Sequence, residues 1–148
     1  MDGNNTYDIL DSISYYEDGE VIFAEGGYGD EMYIIHSGEV ELSQVTSNNE
    51  RKVLDILGKD SFFGEMALLS NTVRTATATA VGKTALIPFD KESMIKRIES
   101  NPRFALHLLA SLSDRLMKTT STLMKLVAIM EEHGDEQIQR VVNQSFPS

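Results

Sequence analysis

The chain of 148 residues is long enough for one domain with a hydrophobic core. It contains 13 Lys and Arg and 23 Asp and Glu, which gives a formal charge of −10. An acidic surface gives no electrostatic help in approaching DNA, because DNA affinity depends on phosphate neutralisation. The sequence contains no cysteine, which excludes a disulfide framework and suits the cytoplasm, and no apolar run of membrane-spanning length. We therefore expect a soluble, cytoplasmic protein without a membrane segment.

The first part of the chain predicts a short helix followed by several short strands. Residues 7–14 form the predicted helix, with Thr6 as its N-cap. Residues 25–30 form a glycine-rich turn that suits positive φ, and Gly38 and Gly82 are expected to interrupt strands. The strands are predicted at residues 20–24, 32–36, 39–45, 51–57, 75–79 and 84–89. Many short strands at regular spacing favour an antiparallel roll or barrel.

From residue 90 onwards the pattern becomes helical. Asp90 is a suitable N-cap for a helix to about residue 99, and a second helix is predicted over about 102–133, ending before Gly134. Seven residues of this helix recur at alternating spacings of three and four: Leu109, Leu112, Leu116, Thr119, Leu123, Leu126 and Met130. This heptad seam either packs on the chain's own strands or pairs with a second helix, and its length favours dimerisation.

The segment from residue 63 to residue 77 combines the features of a phosphate and sugar site. Gly64 has no Cβ and so permits close approach of a ligand, and residues 65–69 can form one helical turn whose free N–H groups favour an anion. Arg74 can bind the same anion through its planar guanidinium. Glu65 would repel an anion, so it suits a neutral donor such as a sugar hydroxyl.

This segment resembles the phosphate-binding cassette of cyclic nucleotide-binding domains. The matching residues are Phe63, Gly64, Glu65, Met66, Ala67, Leu68, Arg74, Thr75, Ala76 and Thr77. Val73 departs from the family pattern, which usually has proline there, and the glycine pattern over residues 25–38 is also similar to the β-roll of the family.

The resemblance implies a role for each cassette residue. Gly64, Met66 and Ala67 would contact the nucleotide through their main chain, and Glu65 would accept a hydrogen bond from the ribose 2′-hydroxyl. The cyclic phosphate would be held by Arg74 and Thr75, with Phe63 and Ala76 completing the set of binding residues.

Two adjacent threonines on the long helix resemble the residues that read the base in bacterial members of the family. They are Thr119 and Thr120, and this resemblance favours cAMP over cGMP. From the residues alone, Thr119 could instead bond the preceding helical turn or set the register of a helix pair.

We therefore expect an α+β domain over residues 1–133, followed by a short flexible tail over residues 134–148. Its core would be an eight-stranded, antiparallel, jelly-roll-like β-roll with a short N-terminal helix, a cassette helix and a long C-terminal dimerisation helix. The tail is too short for a DNA-binding domain, so we expect no DNA binding by this chain alone.

The function that the resemblance implies is a homodimeric, cAMP-responsive regulatory module acting on a downstream protein partner that the sequence does not identify. No carboxylate–histidine cluster has the spacing of metal ligands, so neither a metal nor an enzymatic activity is expected. The alternatives are a cGMP-specific module and a dimeric interaction scaffold that does not respond to nucleotide.

Overall fold

The structure, a computed structural model, describes residues 12–134 and 136–145. Its strands are β1 (Ser14–Tyr16), β2 (Val21–Phe23), β3 (Glu31–Val45), β4 (Arg51–Leu57), β5 (Phe62–Phe63) and β6 (Thr77–Asp90). Its helices are α1 (Glu65–Ser70), α2 (Lys91–Ser100), α3 (Arg103–His133) and α4 (Glu136–Ser145). The chain divides into two compact units, Met1–Ala105 and Leu106–Ser148, and each is described by itself.

The strands of the first unit form one antiparallel sheet. The strand order is β1-β6-β3-β4, with β2 paired to β6 and β5 paired to β3. The two longest strands, β3 and β6, pair along most of their length and form the centre of the sheet. This arrangement confirms the predicted antiparallel α+β architecture.

The described residues contain six strands, where a roll of eight was expected. Strands β3 and β6 each join two segments that were predicted separately, because they continue through glycines where breaks were predicted, and β1 and β5 were not located from the sequence. Strand β3 runs through Gly38 and β6 runs through Gly82. The register between these two strands shifts on both sides of Ser37. Gly38 has φ +85°, and a Cβ added to it would lie only 2.5 Å from the Lys83 carbonyl oxygen. Gly38 therefore makes a bulge inside a continuous strand, where a side chain would not fit.

The prediction of an N-terminal helix over residues 7–14 is wrong for its last residue. Residues 7–11 lie outside the described residues, whereas Ser14 begins β1 and does not end a helix. Tyr15 and Tyr16 pair with Ala85 and Thr84 of β6, and aromatic residues suit such a sheet position.

The hydrophobic core is built mainly from side chains of the paired strands. Its buried cluster consists of Ile35, Val40, Leu57, Phe63, Ala78 and Leu86. Phe23 and Tyr33 pack against this cluster while remaining partly buried. They therefore connect the core to the loop that precedes β3.

The helices of the C-terminal part follow the predicted starts and ends closely. The Asp90 carboxylate accepts a hydrogen bond from the Ser93 N–H at 2.7 Å and so caps α2, as predicted. Helix α3 begins one residue later than predicted, and Gly134, with φ +63°, follows its last residue. Among the described residues, none of the helices combines the length and apolar content needed to cross a membrane.

A helix, α4, occupies most of the segment that was expected to be a flexible tail. In its sequence, Val141 and Val142 follow Ile138 by three and four residues. Apolar residues at this spacing are typical of an α-helix. The tail expectation overlooked this short periodic pattern.

Candidate functional site

Arg74 is buried at the centre of the candidate site. Only 4% of its surface is exposed. Its Nη1 donates to the Gly64 carbonyl oxygen at 2.9 Å, and its Nη2 donates to the Glu31 carbonyl oxygen at 2.7 Å. Both acceptors are neutral main-chain groups, so neither of them balances the positive charge of the guanidinium.

The main chain of Arg74 is tied to the loop between β2 and β3. The Arg74 N–H donates to the Gly27 carbonyl oxygen and the Gly26 N–H donates to the Arg74 carbonyl oxygen, each at 2.8 Å. This reciprocal pair brings residues separated by nearly fifty positions into contact. The loop therefore fixes where the Arg74 side chain begins.

An aromatic ring covers one side of the guanidinium. The Arg74 Cζ lies 4.1 Å from the centroid of the Phe23 ring, within the range of a cation–π contact. The centroid of the Phe23 ring lies 5.8 Å from that of Phe63 and 6.1 Å from that of Tyr33. Burial, together with the negative charge of Glu31, raises the pKa of Tyr33 to about 12, so this phenol is neutral at physiological pH.

The guanidinium packs directly against Gly29. A Cβ added to Gly29 would lie 2.4 Å from Nη2 and 2.7 Å from Nε of Arg74, and the φ of Gly29 is not in the positive range. The Nε is buried and has no hydrogen-bond partner among the described residues. Gly29 therefore lacks a side chain because the Arg74 guanidinium occupies the place that a Cβ would take, and its role is not the turn conformation inferred from the sequence.

The cassette residues surround the same guanidinium. Gly64 adopts φ +81° ahead of α1, and a Cβ on it would lie 2.8 Å from Nη1 of Arg74. Glu65 and Ala67, in the first turn of α1, are both buried. Gly64 is therefore required both for its backbone conformation and for the close approach of Arg74.

The other predicted site residues differ in their exposure to solvent. Phe63 is fully buried in the core cluster and Ala76 is also buried, whereas Met66 and Thr75 are exposed. Phe63 thus contributes a core side chain next to the Gly64 turn.

Thr119 and Thr120 are exposed residues near the middle of α3, in the second unit. Their part in reading a base stays a prediction.

A cavity of about 260 Å³ next to the loop and α1 is chemically unsuited to an anion. Gly29 and Ala67 are among its lining residues, but so are the carboxylates of Asp30, Asp90 and Glu92. Three acids would repel a phosphate. The arrangement around Arg74, and not this cavity, has the chemistry of an anion site.

Sequence reasoning missed Phe23, the close packing of Gly29 against Arg74 and the Glu31 carbonyl. Phe23 ends a short strand and reads as an ordinary apolar position, and a main-chain carbonyl carries no sequence signal. Gly29 was visible as part of a glycine-rich turn, but only the tertiary contact with Arg74 shows why it lacks a side chain.

Comparisons with known proteins show which family the chain resembles. The family model described as cyclic nucleotide-binding domain matches residues 13–101, more than half of the chain. The CRP-like cAMP-activated global transcriptional regulator of Mycobacterium tuberculosis is 31% identical over 109 residues, which are 74% of this chain and 49% of that protein. The chain therefore spans about half the length of this curated relative.

Solved structures show the same likeness. The Thermus thermophilus catabolite activator protein has a TM-score of 0.71 and 26% identity, covering 90% of this chain and 71% of that one. The regulatory domain of Toxoplasma gondii PKA, crystallised with cAMP, has a TM-score of 0.55 and 28% identity, covering 65% of this chain and 37% of that one.

Proposed function

Because the chain belongs to the family of cyclic nucleotide-binding domains, we propose that it is a regulatory module that binds cAMP in preference to cGMP. The observation that carries the proposal is the buried, positively charged Arg74 guanidinium, whose Nε has no hydrogen-bond partner among the described residues. A phosphate oxygen at the usual distance of about 2.7–2.9 Å from a guanidinium nitrogen would give that donor a charged partner. The M. tuberculosis relative is cAMP-activated, and the T. gondii domain was crystallised with cAMP.

In this proposal the cassette residues divide the ligand between them. Arg74 and Thr75 hold the cyclic phosphate, Gly64, Met66 and Ala67 offer main-chain contacts, and Glu65 accepts from the ribose 2′-hydroxyl. The burial of Glu65 and Ala67 beside the Gly64 turn supports a site that is shielded from water, where such contacts are strong.

The preference for cAMP is assigned to Thr119 and Thr120 on α3. A threonine hydroxyl can accept a hydrogen bond from the amino group of adenine, and both side chains are exposed and therefore accessible. Thr119→Val together with Thr120→Ala should reduce cAMP affinity while leaving cGMP affinity nearly unchanged.

We further propose that the module acts as a cytoplasmic homodimer through α3 and signals binding to a protein partner. Leu109, Leu116 and Leu123 are spaced by seven residues and are 61%, 68% and 40% exposed. A second copy of the helix would cover this apolar stripe. Nucleotide binding can change the activity of a partner only if the two states of the module bind the nucleotide with different affinity.

The test of the binding proposal is calorimetric titration with cAMP and with cGMP. We expect cAMP to bind more tightly, and Arg74→Ala to weaken it at least about a hundredfold, since a charged hydrogen-bonded partner of the phosphate is lost. Because Arg74→Ala also leaves two carbonyls without a donor, Arg74→Lys is measured beside it, with thermal melting of both. Equal affinity for cAMP in wild type and in a folded Arg74 variant would refute the proposal.

The dimer is tested separately by analytical ultracentrifugation. Leu116→Glu places a charge in the seam and should give monomers. Ser121→Glu adds the same charge to an exposed position of α3 outside the seam and should leave the dimer intact. A wild-type monomer at micromolar concentration would contradict this part of the proposal without affecting nucleotide binding.

A further inference from the structure

We infer that Phe23 is a positioning residue, which holds the Arg74 guanidinium in its ligand-ready place through the face of its ring. This inference rests on the proposed function, because it concerns the same phosphate site. Phe23 lies outside the cassette segment and is not among the residues that the sequence assigned to binding. Its ring centroid is 4.1 Å from the Arg74 Cζ.

A buried cation needs compensation before any ligand arrives. Burying a charged group is unfavourable unless its donors are satisfied, and Arg74 is 4% exposed. Two carbonyls accept from Nη1 and Nη2, but neither carries a negative charge, and Nε has no partner among the described residues. The negative face of the Phe23 ring is a further favourable contact for the positive charge.

The surroundings of the guanidinium restrict where it can move. The Phe23 ring covers the guanidinium, and the carbonyls of Gly64 and Glu31 accept hydrogen bonds from its two terminal nitrogens. The main chain of Gly29 lies so close to Nη2 and Nε that a Cβ there would overlap them. Phe23 therefore prevents the long side chain of Arg74 from turning away, and the phosphate meets a donor that is already in place.

Phe23 can do this because its own ring is fixed. It follows a register shift in the pairing of β2 with β6, and its ring contacts that of Phe63. Phe63 is fully buried in the core cluster. The aromatic contacts thus connect the hydrophobic core directly to the charged group.

The competing explanation is that Phe23 only fills space in the core. Tyr33 provides the matched control, since its ring belongs to the same aromatic group, with centroids 6.1 Å from Phe23 and 5.3 Å from Phe63. Tyr33→Leu removes an aromatic ring from the cluster while leaving the Phe23 ring over Arg74. Phe23→Leu removes the ring that faces the cation, and Phe23→Tyr keeps it.

The first experiment compares cAMP affinities by calorimetry, with melting temperatures to match the variants in stability. Phe23→Leu should weaken binding about tenfold, which corresponds to the upper range of one desolvated cation–π contact. Phe23→Tyr should restore affinity to within about threefold of wild type, and Tyr33→Leu should stay within the same limit. Equal losses in Phe23→Leu and Tyr33→Leu would overturn the inference, because they would point to packing alone.

The second experiment needs no nucleotide and so separates this inference from the proposed function. A proton above an aromatic face is shielded, so the Nε–H resonance of Arg74 in ligand-free wild type should lie upfield of an ordinary arginine. Arg74→Lys assigns the resonance, and Phe23→Leu should return it towards the ordinary position. If wild type bound no cyclic nucleotide, the proposed function would fail, while an unshifted Arg74 resonance would refute the role of Phe23.

Discussion

Substituting Gly29 by alanine tests the geometry of the site with one methyl group. The added Cβ would lie 2.4 Å from Nη2 of Arg74, whereas ordinary contacts are 3.4 Å or longer, so the guanidinium must move by about 3.4 − 2.4 = 1 Å. The hydrogen bond from Nη2 to the Glu31 carbonyl is 2.7 Å, and the same shift would stretch it to about 3.7 Å, beyond hydrogen-bonding distance.

The expected loss follows from the value of a charged hydrogen bond. The same displacement would break a hydrogen bond from Arg74 to the phosphate. Such a bond contributes about 1.5–3 kcal/mol, and each 1.4 kcal/mol is about tenfold in affinity, so Gly29→Ala should weaken cAMP binding by about 10- to 100-fold. The lost Nη2–Glu31 bond belongs to the folded state, so the free energy of unfolding should also fall by about 1.5–3 kcal/mol. Alanine offsets about 0.4–1 kcal/mol of that fall, because φ of Gly29 lies outside the positive range and alanine reduces the entropy of the unfolded chain.

The assay is calorimetric titration of cAMP beside thermal melting, with Gly58→Ala as the control. A Cβ on Gly58 would meet no atom within 4 Å, and its φ is also outside the positive range. Gly58→Ala should therefore bind as wild type does. In an Arg74→Ala background, Gly29→Ala should cause no further loss, since both changes act on one interaction. Wild-type affinity in Gly29→Ala would refute the placement of Arg74 as the phosphate ligand.

Three further predictions concern the framework that carries the site. The hydrogen bond from the Ser93 main chain lowers the pKa of Asp90, so Asp90→Ala should lower the urea midpoint above about pH 4, and the difference from wild type should vanish as the pH falls through the lowered pKa. Burial raises the pKa of Tyr33 to about 12, so its neutral form stabilises the fold below about pH 10 and this contribution is lost towards pH 12. Tyrosinate absorbance should show a late ionisation step that Tyr33→Phe removes, and its persistence in the variant would contradict the assignment. Gly38→Ala should cost at least about 2 kcal/mol in urea unfolding, because its φ is +85° and the new Cβ would lie 2.5 Å from the Lys83 carbonyl oxygen; an unchanged midpoint would show that the bulge can relax.

The strands show where local patterns are sufficient and where they are not. Local patterns located most of β3, β4 and β6, and period-two alternation was the signal over residues 39–45 of β3. The breaks assigned at Gly38 and Gly82 were wrong, since a glycine permits a turn or a bulge equally well. The pairing of β3 with β6 decides between them, and that pairing joins residues far apart in the sequence.

The helices were easier to predict because their signals are local. Asp90 was identified as an N-cap from its position before a helical pattern, and Gly134 as the residue after the end of α3. Both depend on hydrogen bonds or dihedral angles within a few residues. Strand β5, with only two residues, carries no such signal and exists because it pairs with β3.

By itself, the sequence determined the family, the antiparallel α+β architecture and the position of Arg74 in a segment that resembles a phosphate-binding cassette, because these depend on residue types at short, fixed spacing. Only the tertiary structure decided what surrounds that arginine: the ring of Phe23, the close packing of Gly29 and the carbonyls of Gly64 and Glu31. The physical reason is that a buried guanidinium must find its compensating groups in space, and most of those groups come from strands and loops more than forty residues away in the sequence.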